Sequence, residues 1–458
     1  MQTREDLQEA LEKACEKVGI VGASVCLKVG AKSWGAATGF ANKAEGIETT
    51  KGTLFQTGSI AKLFTATMIQ RLVERGHIDL DKPVTHYLPD LKIAGARAPD
   101  ALNVRTLLDF TAGIEGDFFE DFGEGEDALK HYVEACNDLI LQFEPGTMRG
   151  YNSTSFSIAG RLVEVLKGNT YEQALVDEVL DPVGIERHGF NTGAMLRYRS
   201  AIGHRFDAEQ GAFVPTPQLT LPKALTPAGA RLAMTAEGLA RFGMLHVRDG
   251  VLLGGERLIA AERILDIRTS YGTVPPGKLE RMMGVVALEA GATRFILTAG
   301  ETSDQNAMLV MSPEHDMALA IMANVSGGAT ALLSKVGLDL IEEVTGQRIN
   351  LPTPDFSEGD MTVEARQILG SYSNTTIYTV EEKEGDVTLI IEDRPARHLT
   401  GVRQEIPLKP LKGSRYALVH PETQQAVSTL EFLFMNGDDE HASHISHATR
   451  LFSRLPHS

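Results

Sequence analysis

Ser59 and Lys62 are the first residues of this 458-residue chain whose types and spacing suggest chemistry. They stand in Ser59-Ile60-Ala61-Lys62, and residues i and i+3 share one face of a helix. A serine at a helix start lies beside unpaired backbone N–H groups. A lysine one turn later can sit against its hydroxyl. If that lysine is desolvated, its charged form is disfavoured, its pKa falls and it can act as a base. A serine nucleophile without a histidine needs such a partner. The plainer reading is a helix-capping serine and a solvated lysine, because S-x-x-K turns up about once by chance at this length.

Other catalytic patterns fit less well. Thr57-Gly58-Ser59-Ile60-Ala61 lacks both glycines of G-x-S-x-G, which argues against an α/β-hydrolase triad. Neither H-E-x-x-H nor G-x-x-x-x-G-K-[ST] occurs. His441, His444 and His447 are spaced by three, but the surroundings read as strand and turn and no carboxylate completes a zinc pattern. The expectation is no metal and no cofactor. His204 and His315 are expected on loops or turns. Cys15, Cys26 and Cys136 have no C-x-x-C spacing and read as buried free thiols.

The elements that must position Ser59 follow from hydropathy. Leu7, Leu11, Ala14 and Val18 recur at helical spacing. A hairpin is expected over 23–40 around Gly30-Ala31-Lys32. A short extended run over 52–57 feeds a strong helix over 59–75, with Gly76 at its C-terminal cap. Residues from about 80 to 245 read as helical patches broken by Pro and Gly. Strand-like runs return at 284–288, 293–297, 306–311 and 317–322, followed by a helix over 330–344. The fold class expected is α+β. An antiparallel sheet is flanked by N- and C-terminal helices, with a helical subdomain inserted. After a linker (348–362), runs at 372–381, 387–392, 405–410, 416–420 and 426–434 read as a small all-β module. The domains expected are 1–347, the linker, and 363–458.

Composition narrows the partners. The net charge is −17, from 44 Lys+Arg against 61 Asp+Glu, which argues against nucleic acid and anionic membrane surfaces. No stretch of ~18 apolar residues occurs. The first residues run into an amphipathic helix without the apolar core of a signal peptide. A cytoplasmic protein acting on a small-molecule or peptidyl substrate is expected, with its oligomeric state open.

Two further segments complete a pattern. Glu144-Pro145-Gly146-Thr147-Met148-Arg149-Gly150-Tyr151-Asn152-Ser153 lies some 90 residues after Ser59, and Leu297-Thr298-Ala299-Gly300-Glu301 falls on an expected strand. With Ser59 and Lys62, they make residues 5–345 resemble the penicillin-binding-protein-like serine hydrolases, which include class C β-lactamases, esterases and D-aminopeptidases. That family has S-x-x-K, Y-x-N after P-G-T, and K-T-G or H-x-G on a sheet-edge strand. Here Ser153 stands for Asn, with Asn152 adjacent, and Thr298 stands for Lys or His, with Gly300 kept. Gly116–Asp127 is similar to a loop of cytoplasmic members with a C-terminal lipocalin-like barrel, a layout shared with penicillin-binding-protein-type peptide thioesterases. The plainer reading of this acidic loop is a solvated surface loop.

The resemblance implies that Ser59 attacks an ester, amide or peptide carbonyl, with Lys62 and Tyr151 moving the proton. The N–H groups of Ser59 and Glu301 are implied as the oxyanion donors. Thr298 carries no charge for a substrate carboxylate, and Ser153 lacks the amide donor of Asn. Two other outcomes fit the same residues: an acyltransferase or macrocyclising thioesterase that hands the acyl group to an amine, and a catalytically impaired binding protein of this fold.

Overall fold

Eight strands form an antiparallel sheet. They are Gly22–Val29 (β1), Lys32–Asn42 (β2), Ile47–Glu48 (β3), Glu280–Arg281 (β4), Val286–Ala290 (β5), Thr293–Thr302 (β6), Gln305–Ser312 (β7) and Met317–Ala323 (β8). Their order is β3-β2-β1-β8-β7-β6-β5-β4. The computed structural model describes residues 4–93, 102–269, 280–351, 356–374, 376–383, 385–393, 403–421, 423–434 and 440–455. Residues 352–355 of the expected linker lie outside these.

The expected hairpin is β1–β2, turning at Gly30 with φ +58°. β7 and β8 are buried at every position, as continuous apolar runs are when both sheet faces are covered. Their neighbours show this. The helix Arg4–Val18 (α1) packs on β2, and its Leu7 and Leu11 are fully buried. The helix carrying the serine motif is Ala61–Glu74 (α2). Ala236–Val247 (α3) packs through Gly243 on Leu309 and Ala318. The expected helix over 330–344 is broken into Gly328–Leu332 (α4), a π-turn and Leu338–Thr345 (α5). Gly337 in that turn lies against Leu319 and Ile321. Successive strand residues face opposite ways, so Ala318 and Leu319 meet helices on opposite faces.

The second sheet is a closed antiparallel barrel: Gly370–Ser373 (β9), Thr376–Lys383 (β10), Asp386–Asp393 (β11), Gln404–Pro410 (β12), Arg415–Val419 (β13), Ala426–Leu433 (β14), His444–His447 (β15) and Arg450–Arg454 (β16). The expected strand 372–381 is in fact the β9–β10 hairpin, with Tyr372 opposite Tyr378. Asn374, a turn former, interrupts the run, and its N–H donates to Thr376 O. Tyr372, Leu389, Leu430, Phe432, Ile445 and Phe452 fill the interior.

The chain divides into two compact units. One holds Met1–Lys82, Asp121–His131 and Phe156–Asn350, and the other Pro83–Glu120, Tyr132–Ser155 and Leu351–Ser458. No helix among the described residues is long and apolar enough to cross a membrane.

Burial on α3 has a consequence for acid stability. His246 is 1% exposed, and Thr67 Oγ1 lies 3.0 Å from its Nε2. Burial, followed by the nearby Arg268 charge, pushes its pKa down to about 3. The unfolded imidazole titrates near ~6.5. Between these values the unfolded chain binds a proton that the folded chain refuses, so stability falls as pH drops. The slope for one such group reaches about 1.4 kcal/mol per pH unit. In urea unfolding from pH 7.5 to 4.5, wild type is expected to lose ground steadily against His246→Gln. A difference constant across that range would show that His246 does not titrate this way.

Candidate active site

Ser59 sits in a single 3-10 turn, Gly58–Ile60, that runs into α2. Thr57 fixes the entry, its N–H and Oγ1 both donating to Leu232 O at 2.8 and 3.0 Å. Every residue of α2 from Ala61 to Leu72 is buried. Lys62 is therefore not a surface lysine: it is 1% exposed. Its Nζ donates to Ser59 Oγ at 3.2 Å and to Ala228 O at 2.6 Å, and it stands 5.8 Å from the centre of the Phe156 ring. Thr65, one turn on, ties α2 to the same strap by donating to Pro227 O at 2.7 Å.

Backbone packs on backbone around Ser59 N. A Cβ on Gly300 would lie 2.0 Å from Thr57 O and 2.6 Å from Ser59 N. One on Gly58 would lie 2.4 Å from Glu301 N, and one on Gly229 2.7 Å from Ser59 N. Only glycine permits such approach. The three glycines thus bring the turn of Ser59 against the Gly300–Glu301 peptide of β6. Asn306 Nδ2 donates to Gly300 O at 3.0 Å. A trans peptide points its C=O and N–H in opposite directions, so this bond also sets the direction of Glu301 N–H. Asn306 is itself held, its Oδ1 accepting from Thr330 N at 3.0 Å. Glu301 Oε2 accepts from Gly327 N at 3.1 Å.

Thr298 is buried, and its hydroxyl donates to Gly284 O at 3.0 Å. Gly284 in turn packs on the backbone of Lys62 and Leu63. The position where the family carries Lys or His is here occupied by a tether between β6 and the turn beside α2.

Ser59, Lys62, Thr298, Gly300 and Glu301 belong to one unit; Tyr151, Asn152 and Ser153 belong to the other. Tyr151 stacks on Phe110, ring centres 5.3 Å apart, and the Arg450 guanidinium is 4.9 Å from its ring centre. Asn152 is buried between backbone groups. Its Nδ2 donates to Ile114 O at 2.6 Å, and its Oδ1 accepts from Ser155 N at 2.7 Å, in the first turn of the helix Thr154–Lys167. Ser153 N–H donates to Gly116 O at 2.7 Å. Asn306 and Arg450 escaped the sequence reading. Neither lies in a recognisable motif.

Several expectations change here. His204 is not on a loop: it begins the strand His204–Asp207, is fully buried and accepts from Lys43 N at 3.1 Å. The acidic loop is buried at 116–118 and becomes exposed only over 121–127, where Phe122 is half-buried; that exposed part is also anchored. Arg231, nearly buried, grips both carboxylate oxygens of Glu124 at 2.5 and 2.6 Å. That guanidinium holds the Glu124 carboxyl below the usual range. His444 contacts Gln142 O at 2.9 Å, and His447 contacts the Tyr378 hydroxyl at 2.9 Å. Among the described residues, no three or more His, Cys, Asp and Glu are placed to hold a metal. Cys15, Cys26 and Cys136 are free and buried.

Known proteins are similar to this chain in sequence and in fold. The family model described as Beta-lactamase matches residues 7–339. Penicillin-binding protein 4 of Amycolatopsis lactamdurans is 33% identical over 254 residues, 56% of this chain and 66% of that protein. The chain thus spans just under two-thirds of that relative's length. SurE superposes with a TM-score of 0.80 at 22% identity over 99% of both chains, and has also been solved with D-Leu. The D-amino acid amidase of Ochrobactrum anthropi SV3 gives 0.62 at 19% identity, over 74% of this chain and 99% of that one. These structural likenesses are likenesses of fold.

Proposed function

The chain belongs to the β-lactamase family, and from that premise we propose that it is a serine hydrolase of ester, amide or peptide bonds that works through an acyl-Ser59 intermediate. The observation that carries the proposal is the buried Lys62 amine 3.2 Å from Ser59 Oγ. In this reading Ser59 Oγ attacks the substrate carbonyl. Lys62, with Tyr151 as relay, takes the serine proton and returns one to the leaving group. The oxyanion is met by the N–H groups of Ser59 and Glu301. Water then attacks the acyl-enzyme and releases the acid. Residues 1–347 are proposed as the catalytic domain, 348–362 as a linker and 363–458 as the barrel domain.

The same residues favour a substrate without a carboxylate beside Thr298, because that hydroxyl is already donated to Gly284 O. A relative in fold is a D-amino acid amidase and another has been solved with D-Leu, which directs the proposal to peptidyl or aminoacyl donors with a D residue. The D-Leu also supports a second reading, in which an amine rather than water takes the acyl group. A D-configured peptidyl thioester offered with and without D-leucine amide separates the two. Free acid alone supports hydrolysis, and a new amide or cyclic product supports transfer.

The proposal as a whole is tested by intact mass after fluorophosphonate treatment. One adduct on wild type, mapped to Ser59 and missing from Ser59→Ala, is expected. No adduct on a folded wild type, beside a labelled control enzyme, would overturn the proposal and bring the binding-protein reading forward.

A further inference from the structure

Two non-glycine residues with left-handed backbone, Phe110 and Thr449, contact Tyr151, and a third, Ala448, shares the turn of Thr449. Phe110 (φ +67°) stacks on its ring. Ala448 (φ +45°) and Thr449 (φ +75°) form the two-residue turn between β15 and β16, and Thr449 O accepts from Tyr151 N–H at 2.9 Å. Two-residue hairpins with both residues at positive φ prefer Asn-Gly or Asp-Gly. A β-branched threonine there, like a buried phenylalanine, is strained, and such strain persists only where the surroundings demand it. The other non-glycine residues with positive φ among those described are Asp, Ser and Gln.

The residue after this turn is Arg450. Its guanidinium stands over the Tyr151 ring and forms an ion pair with the buried Asp117. Leu451 packs where Gly150 leaves room: a Cβ on Gly150 would lie 3.4 Å from Leu451 Cβ. The barrel interior, by contrast, is filled by its own side chains, and a small barrel so filled has no room for a ligand. What the barrel offers is this turn.

We infer that the C-terminal barrel takes part in the reaction, its Ala448–Arg450 turn holding the Tyr151 phenol in place, with Arg450 as positioning residue and Asp117 as its anchor. The inference rests on the proposed role of Tyr151 as proton relay. A cation over the ring also favours the phenolate electrostatically. The coupling is mutual: burial disfavours the charged guanidinium, yet Asp117 and then Tyr151 outweigh it and raise the Arg450 pKa. The other titratable groups facing Arg450 are Tyr378 and His447. Burial pushes Tyr378 up to about 12. Burial and then Arg450 push His447 down to about 4. Both stay neutral from pH 6 to 10, so neither accounts for a shift that Arg450→Gln causes in that range.

The test is a double-mutant cycle on the full-length protein, read as the fluorophosphonate labelling rate from pH 6 to 10. Thermal unfolding checks that each variant is folded. Arg450→Gln is expected to slow labelling ~10- to 100-fold and to move the rising limb to higher pH. Arg450→Lys should restore part of both. In a Tyr151→Phe background, Arg450→Gln should cost no more than about twofold, because groups acting through one another are not additive. If Arg450→Gln fails to fold, Asp117→Asn takes its place in the cycle. Equal cost in both backgrounds, or a labelling rate and pH profile unchanged by Arg450→Gln, would overturn the inference. If wild type is labelled and Tyr151→Phe is labelled equally fast, the relay role of Tyr151 fails, and this inference fails with it. If wild type is not labelled, the serine-hydrolase reading falls first.

Discussion

Lys62→Met is expected to lower the rate of fluorophosphonate labelling by between ~10²- and ~10⁴-fold, the range typical of a general base, while the protein stays folded. The argument rests on what surrounds the amine. Lys62 Nζ has Ser59 Oγ at 3.2 Å and Ala228 O at 2.6 Å, inside a helix buried on all sides. The bond to Ala228 O holds the nitrogen within reach of the Ser59 hydroxyl. Methionine keeps the volume of the lysine stem without the nitrogen. It leaves Ala228 O without that donor, at a cost of about 1–3 kcal/mol. It also removes a buried polar group whose desolvation opposes folding. The two effects oppose each other, so unfolding should move little while labelling collapses. Lys62→Ala, which opens a cavity, should instead respond to added methylamine. Labelling of folded Lys62→Met within threefold of wild type would remove Lys62 from the mechanism.

That pair was readable in the sequence because it is local. Serine and lysine three apart at a helix start must share a face, but the burial of Lys62 was not readable from the motif, whose plainer reading is a solvated lysine. The β1–β2 hairpin and the apolar runs of β7 and β8 were readable for the same reason: each follows from neighbours in the chain. Arg450 was not readable, since only tertiary structure brings the end of the chain to Tyr151. Nor was the β15–β16 hairpin, whose turn is Ala448-Thr449 rather than the Asn-Gly that marks such turns. His204 was read as a loop residue because its strand is four residues long and begins at it. Thr298 could be recognised as a departure from the family, but not as a tether to Gly284, because the sequence puts Gly284 in the strand-like run 284–288 whereas the strand begins only at Val286. The glycines of the site fall between these cases. Gly300 stood out by motif, whereas the need for it comes from the backbone of Thr57 and Ser59, far away in sequence.

Gly300→Ala is the sharper trial of that packing, with an expected loss of labelling of at least ~10³-fold. Its Cβ would come within 2.0 Å of Thr57 O and 2.6 Å of Ser59 N. Neither atom belongs to a side chain that can rotate away. Thr57 is anchored to Leu232 O through its N–H and its hydroxyl, and Gly300 O is held by Asn306. The strand and the turn must therefore part. Doing so separates the N–H groups of Ser59 and Glu301, the two proposed oxyanion donors. Removing one such donor costs about 10²–10³ in rate, and the substitution disturbs both. Overpacking of this kind also costs about 1–3 kcal/mol in stability, so the variant should melt earlier yet remain folded. Asn306→Ala provides the graded comparison: it releases the Gly300 carbonyl without adding bulk, and should cost less than Gly300→Ala in both rate and stability. A folded Gly300→Ala that still labels Ser59 at the wild-type rate would mean that the close approach of β6 to the nucleophile turn serves packing alone. The oxyanion donors would then have to be sought elsewhere.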